Sequence, residues 1–440
     1  MENEKRATRF YEQLASGCIF PVPFERGEPS KVIKHVVYIM KENKTFDQIL
    51  GDLEGDVETD PDLVIFGEDI TPNAHALARQ FTLCDNFYSK AEVSVQGHMW
   101  GTAANCNDYV EKTFLHRKRP PAAGVEHAAK PEFGFIFHHL YRNNIPFRVY
   151  GQIVGIAGDL DIFAPFIDFK YGFWNLSVPD VVKAQEFIRE LNAGIFPNFV
   201  YILLPNDHTE GSKPGAPTPR YMVADNDAAL GMIVEAISKS PYWKETAIFV
   251  TEDDPQSGAD HIDAHRTLML VISPWAKRGY VSHVLYSMDS MWMTIELILG
   301  VGPMSKYDRY TAPMYDCFTT KPDFSTYKAI PNPLPYEENT GKEPFAEYCA
   351  GLDFDAPDQV PNMGEILWAI YRPGEPFPKE MSVDYEPDED EVEETEEAEL
   401  YKRAVERHIA LGKRLEAEGK LDLEYIKSFY KQLNKRWKRK

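Results

Sequence analysis

Four short apolar runs along the chain each break off sharply. His35-Val-Val-Tyr-Ile-Met40 gives way to Lys41, Glu42 and Asn43. Asn198-Phe-Val-Tyr-Ile-Leu-Leu204 ends at Pro205-Asn206-Asp207-His208. Ala247-Ile-Phe-Val250 meets Thr251-Glu252-Asp253-Asp254, with Asp260-His261 and His265 close behind. Thr267-Leu-Met-Leu-Val-Ile-Ser273 stops at Pro274 and carries no chelating residues of its own. Continuous Val/Ile/Leu/Phe runs of this length are the pattern of strands covered on both faces. In an open parallel sheet, chemistry collects beyond the carboxyl ends of the strands. Carboxylates and histidines at several such ends predict one metal-dependent site built from distant segments.

Between the strands the apolar period changes to that of helices. Val182 to Leu191 and Asn226 to Ile237 show it, and Gly364 to Tyr371 reads as a last core helix. Met288 to Gly300 is predicted to start at an Asp289 cap and stop at glycine. Strand–helix alternation from about 35 to 305 predicts an α/β fold with a mostly parallel sheet and helices on both faces. The stretch 159–174 is rich in aromatic residues (Phe163, Phe166, Phe169, Tyr171, Phe173, Trp174) and reads either as a wall or lid of the site or as an extension of the core. Leu115 to Pro131 reads as a surface loop. The domain reading is an extended lead-in (1–34), one catalytic domain (35–378), an acidic linker (379–400) and a charged helical tail (401–440).

Composition adds limits. The 440 residues are 43% hydrophobic and 26% charged, an ordinary soluble balance. No apolar stretch approaches the roughly 18 residues of a membrane span. The charged start Met1 to Arg6 lacks a signal core, and Leu14 to Cys18 resembles a lipoprotein box only faintly, so the sequence leaves the compartment open between a cytoplasmic chain and one from which a leader was removed. Five scattered cysteines without C-x-x-C spacing fit buried thiols rather than a disulfide framework. A formal charge of −22 argues against a nucleic-acid partner. Much of that charge is local: Asp384 to Glu399 holds 11 acidic residues in 16, and Lys427 to Lys440 then holds seven Lys/Arg and no acid. A solvated appendage is the expected state of this tail, with a partner-binding role as the alternative.

The candidate chemistry is a cation with a nucleophile. Glu42, Asn43, Asp253 and Asp254 offer oxygen ligands, and His208, His261 and His265 offer imidazole. The segment Glu92-Val-Ser94-Val-Gln-Gly97-His98 offers Ser94, with Thr102 as its rival, ahead of a predicted helix. A hydroxyl on a metal loses its proton more easily and attacks phosphorus, and a helix start favours a bound anion.

These motifs resemble the bacterial phosphoesterase family, which includes phospholipase C enzymes and a metal-dependent acid phosphatase within the alkaline phosphatase superfamily. The resemblance rests on His35 to Asp47, Ala91 to His98, Leu204 to Thr209 and Val250 to Arg266. It is closest to the phosphoesterase domain found with YVTN-type β-propellers and runs from about 30 to 375, with no propeller ahead of it. It implies an alkaline-phosphatase-like three-layer sandwich. It implies a phosphomonoesterase or phosphodiesterase acting through a phosphoseryl intermediate, with a phospholipase C-type hydrolase as one alternative and a non-catalytic scaffold on the same fold as another. Metal ligation falls to Glu42, Asn43, Ser94, Asp253 and Asp254, with Asp207, His208 and His265 as candidates for a second metal. Ser94 stands at the nucleophile position, and His208, His261 and His98 at positions that contact the phosphoryl group or protonate the leaving oxygen. The implied cofactor is a divalent ion (Zn, Mn, Fe, Ca or Mg), and the implied partner is a small phosphoester. Pro255 stands where phospholipase members have histidine, and His98 where they have arginine. Phosphate gripping is therefore expected to differ. Family members are commonly exported.

Overall fold

A computed structural model describes residues 19–114, 125–354, 362–382 and 396–437. The apolar runs become strands β1 (His35–Lys41), β6 (Phe199–Leu203), β7 (Thr246–Glu252) and β8 (Met269–Ile272) of one eight-stranded sheet. With β2 (Thr82–Cys84), β4 (Phe147–Tyr150), β5 (Ile167–Asp168) and β9 (Tyr280–Ser282), the order is β5-β4-β6-β1-β7-β8-β2-β9. Phe87–Tyr88 (β3) and Tyr286–Ser287 (β10) pair separately. Side chains alternate across the sheet: Val36, Tyr38 and Met40 enter one core, Val37 and Ile39 the other. Helices α2 (Pro72–Gln80), α4 (Asp180–Asn192), α5 (Pro219–Lys239) and α7 (Met363–Tyr371) cover the second face. Helices α3 (Ser94–Ala103) and α6 (Met288–Leu299) cover the first. The result is a three-layer α/β sandwich.

Register levels the site-bearing ends. Met40 pairs with Leu203 on one side and Thr251 on the other, and Lys41 pairs with Glu252. The chains leaving β1, β6 and β7 therefore emerge side by side. The fourth run departs from expectation: β8 is antiparallel to both neighbours. Its carboxyl end points away from the others, which explains why it lacks ligands, and its amino end, with Arg266 just before it, lies on the site side. A further strand escaped the apolar pattern because Arg148 interrupts Phe147-Arg148-Val149-Tyr150. Arg148 is buried and paired with Glu190 (2.7 Å) and Asp168 (3.3 Å), so the strand carries its charge together with its counter-ions.

Helix α6 begins on Ser287, which makes a capping box with Ser290, and not on Asp289. Asp289 instead pairs with Lys90. The helix ends on Gly300 at φ 73° as expected. The predicted loop 115–131 lies partly outside the described residues, as does the acidic run through 395.

The charged tail is not a solvated appendage. Helices α8 (Glu396–Ala417) and α9 (Leu423–Trp437) place Ala404, Ile426, Tyr430 and Leu433 in the first core. Trp437 stacks on Phe166 (6.2 Å between centroids), and Tyr430 Oη donates to Phe147 O (2.5 Å). Thus the 159–174 stretch supplies core through Phe163 and Phe166 and docks the tail as well. The charge density masked an apolar stripe spaced for one helix face. Ile426→Ala is expected to cost about 2 to 4 kcal/mol of unfolding free energy, read from urea denaturation, where an appendage would cost nothing.

Candidate active site

The end of β1 turns through Asn43 at φ 64°, a left-handed conformation that asparagine tolerates better than most side chains. This turn aims both ends of Asn43 inward. Its backbone N–H donates to Asp253 Oδ1 (3.1 Å), and its amide Nδ2 reaches Ser94 Oγ (2.9 Å) and both Asp254 oxygens (3.0 Å). Three chain segments therefore meet at one amide. Thr45 and Gln48 then form a capping box that starts helix α1 (Phe46–Leu50) immediately behind.

Ser94 is the first residue of α3, where backbone N–H groups lack intrahelical partners. Two glycines one turn apart let α3 lie directly on the strand ends. A Cβ at Gly97 would sit 2.7 Å from Asp253 O, and one at Gly101 2.0 Å from the Met40 Cε methyl. Gly97→Ala must push Ser94 away from Asp253 and Asp254. We expect it to destabilise the fold by about 1 to 3 kcal/mol in urea titrations and to lower kcat.

Around this amide lie oxygens without donors. Both carboxyl oxygens of Glu42, Oδ1 of Asn43 and Oδ2 of Asp253 are buried with no hydrogen-bond partner among the described residues. Burial first, then Asp254 and Glu42, hold the Asp253 carboxyl well above its usual range. Burial likewise raises Glu42 and Asp254, although His98 draws Glu42 down and bonds from Asp253, Asn43 and Ser94 draw Asp254 down. Buried acceptors packed this way are costly without positive charge. His98 is buried in the cluster, with Nε2 3.0 Å from Glu42 Oε1 and 3.7 Å from Asp253 Oδ2. Ligand atoms of Glu42, His98 and Asp253 all fall within 4.8 Å of one another. Carboxylate, amide and hydroxyl oxygens form a donor set that fits a divalent cation, with the His98 ring beside it.

Behind the cluster, Lys41 Nζ bridges Glu252 (2.6 Å) and Asp207 (2.9 Å). Burial alone would lower this lysine, but the two carboxylates outweigh it and the net shift is upward. Burial and the neighbouring Asp207 raise Glu252 to about 8. Asp207 also accepts the N–H of Glu42 (3.0 Å) and the Asn226 amide (3.0 Å). Its task here is to fix the β1 turn.

The second-metal trio is not brought together: among the described residues Asp207, His208 and His265 share no group of converging ligand atoms. Asp207 is spent on Lys41, and His265 pairs with Asp263 (3.0 Å) at the surface. His208 is buried, with Nδ1 2.8 Å from Thr209 O, so Nδ1 carries the proton and Nε2 is a lone-pair acceptor. Burial lowers it to about 4, which favours the neutral imidazole. His261 lies outside the Glu42 group. Its Nδ1 is 2.6 Å from Asp47 Oδ2, within a knot where Arg266 grips Asp47 (3.0 Å) and Asp260 (2.9 Å). Thr102, the rival nucleophile, is committed to His98 O (2.5 Å).

Two contributors, Gln152 and Asp47, escaped the sequence, whereas Trp174 belongs to the aromatic stretch read as a possible wall of the site. Gln152, just past β4, donates to His98 Nδ1 (2.9 Å) and Tyr201 Oη (2.9 Å), which places the His98 proton on Nε2 toward the carboxylates. Its only signal was a polar residue following a glycine at a strand end. Trp174 meets the His208 ring edge-on (5.0 Å) and the His98 ring (6.4 Å). Asp47 orients His261 from the first turn of α1.

A family model described as the Phosphoesterase family matches residues 58–302, a stretch that holds Ser94, His208, Asp253 and Asp254, with Glu42 and Asn43 ahead of it. No curated protein matches the chain. Among solved structures, a protein in the alkaline phosphatase superfamily from Vibrio parahaemolyticus is 19% identical, covering 63% of this chain and 68% of that one, at a TM-score of 0.43. The phosphonate monoester hydrolase of Agrobacterium radiobacter is 12% identical over 61% and 74%, at 0.41. The lipoteichoic acid synthase LtaP from Listeria monocytogenes is 13% identical over 80% and 96%, at 0.42.

Proposed function

We propose, from the premise that the chain belongs to the phosphoesterase family and is a hydrolase of phosphoester or related bonds, that it is metal-dependent and uses Ser94 as nucleophile. The observation that carries this reading is the Asn43 amide joining Ser94 Oγ to Asp254 beside donorless oxygens of Glu42 and Asp253. Glu42, Asn43, Asp253 and Asp254, with Ser94 Oγ, would hold a divalent cation that neutralises and polarises the phosphoryl group when bound.

The chain's own groups then divide the work. The Ser94 hydroxyl faces Asp254, which accepts its proton, while Asn43 holds the oxygen in place. Ser94 Oγ attacks phosphorus in line, and the bond to the leaving oxygen breaks. The open N–H groups at the start of α3 receive the phosphoryl oxygens. His98, whose Nε2–H faces the Glu42 and Asp253 carboxylates, stands beside that anion in a place where an arginine would give a forked grip. His261, held by Asp47, protonates the leaving oxygen through Nε2. His208, neutral with a free Nε2, accepts a proton from the water that releases phosphate from Ser94.

Hydrolysis of a chromogenic phosphomonoester and of a diester, each assayed with chelator and with Zn, Mn, Fe, Ca and Mg in turn, tests the reading. Turnover is expected with metal and loss with chelator. Absence of turnover on both esters with every metal would refute it. The mono-to-diester ratio assigns the subclass.

A further inference from the structure

Two of the five cysteines, 233 residues apart in the chain, meet in the core with their Sγ atoms 3.5 Å from each other. Cys84 ends β2, and Cys317 closes a single turn (Tyr315–Cys317) in the irregular stretch after α6. Both are fully buried. Each backbone is pinned independently of the sulfur contact. Cys84 lies opposite Met269 of β8 on one side and Ser282 of β9 on the other. The Cys317 carbonyl accepts the Lys277 N–H (3.0 Å) and the Thr82 hydroxyl (3.2 Å), and Phe318 bridges to Ala276. The fold itself therefore brings these two sulfurs together. Cys106 and Cys349 face other groups, Glu111 and Ser212.

A bonded pair has its sulfurs about 2 Å apart, so closure moves them together by roughly 1.5 Å. Access is the obstacle. Burial holds the Cys84 thiol well above its usual range, and the neighbouring Cys317 raises it further. A thiol that stays protonated is a poor nucleophile. The folded chain thus keeps the pair reduced until the Cys317 stretch, which lacks the ladder bonds of β2, opens locally.

We propose that Cys84 and Cys317 form a latent cross-link site, which a small-molecule disulfide such as oxidised glutathione converts to one intramolecular disulfide joining β2 to the segment after α6. On opening, the Cys317 thiolate attacks oxidised glutathione, releases one glutathione thiol and leaves a mixed disulfide. The Cys84 thiolate then attacks the Cys317 sulfur, and the second glutathione departs as its thiol. Two electrons pass to glutathione, and the two cysteine protons end on the two thiols released. The link closes a loop that carries β6 and β7 with their site residues. Closing so long a loop acts mainly by restricting the unfolded chain.

The test incubates the full-length protein with oxidised or reduced glutathione across a series of urea concentrations below the unfolding midpoint. Samples are quenched with acid and N-ethylmaleimide, then mapped by peptide mass. With oxidised glutathione, two of the five thiols are expected to disappear, with a mass loss of about 2 Da and one linked peptide pair, Cys84 with Cys317. The linked form is expected to melt about 2 to 5 °C higher and to lose that gain on reduction. Cys84→Ala and Cys317→Ala are each expected to carry at most a glutathione adduct and to show no gain in Tm. Should either variant fail to fold, the other and the wild-type mapping carry the test. The proposal is overturned by preferential linkage of another pair, by adducts on Cys84 and Cys317 without a link, or by no reaction at any urea concentration. A linked form that melts at or below the reduced one also overturns it, because the bond would then not fit the native geometry.

Discussion

Ser94→Ala is expected to lower kcat by at least about 10³-fold with metal present and the fold intact. The variant removes the one oxygen that the Asn43 amide and Asp254 hold jointly. It leaves the donorless oxygens of Glu42 and Asp253 untouched. Metal affinity should therefore change far less than rate. Acid-quenched wild-type protein is expected to gain the mass of one phosphoryl group on the peptide containing Ser94, and Ser94→Ala to gain none. The nearby Thr102 cannot take over, because its hydroxyl is tied to His98 O inside α3. If Ser94→Ala kept more than a tenth of wild-type kcat, a directly attacking water would have to replace the serine in the mechanism.

Much of this architecture is legible before any coordinates. The runs ending at Met40, Leu204 and Val250 are apolar on both faces, and that pattern specifies central strands. The polar bursts after them then fall at one edge by register alone. What escaped has identifiable physical causes. Strand direction is not encoded in a short apolar run, so β8 reads as parallel until its pairing is seen. Arg148 hides β4, and with it Gln152, because a buried ion pair looks like surface when one partner is forty residues away. The tail reads as solvated because its apolar stripe is diluted by charge, and its docking partners Phe166 and Phe169 lie more than two hundred residues earlier. His261 sits near the acidic motif in sequence, but its orientation by Asp47 and the Arg266 knot is not legible there. Spacing along the chain identifies which residues carry chemistry. Which of them share a centre depends on these long-range pairings.

Removing metal is expected to reverse the sign of the protein's stability dependence on pH. Glu42, Asp253 and Asp254 all have folded-state values raised by burial above those of the unfolded chain, where carboxyls titrate near 4. The folded metal-free chain thus binds more protons than the unfolded one over the interval between those values. Their contribution is fully present below about pH 4 and is lost as pH rises through the raised folded values. Chelated protein should therefore melt at progressively lower temperature from pH 5 to pH 8. A cation competes with those protons for the same oxygens, so metal stabilisation must grow over the same interval. At 100 times its dissociation constant a ligand contributes about 2.7 kcal/mol, and calorimetry at pH 8 should show a gap of at least about 3 °C between loaded and chelated protein. Asp253→Asn removes the acid with the most unfavourable surroundings. We expect it to raise the chelated Tm at pH 8 by roughly 2 °C, to shrink the metal-dependent gap and to lower kcat by more than about 10²-fold. A variant less stable than wild type without metal would mean that the carboxylate contributes packing rather than stored repulsion. A chelated Tm that rose with pH would show that these acids are ionised and satisfied in the empty protein, and the cation-site assignment would fall with it.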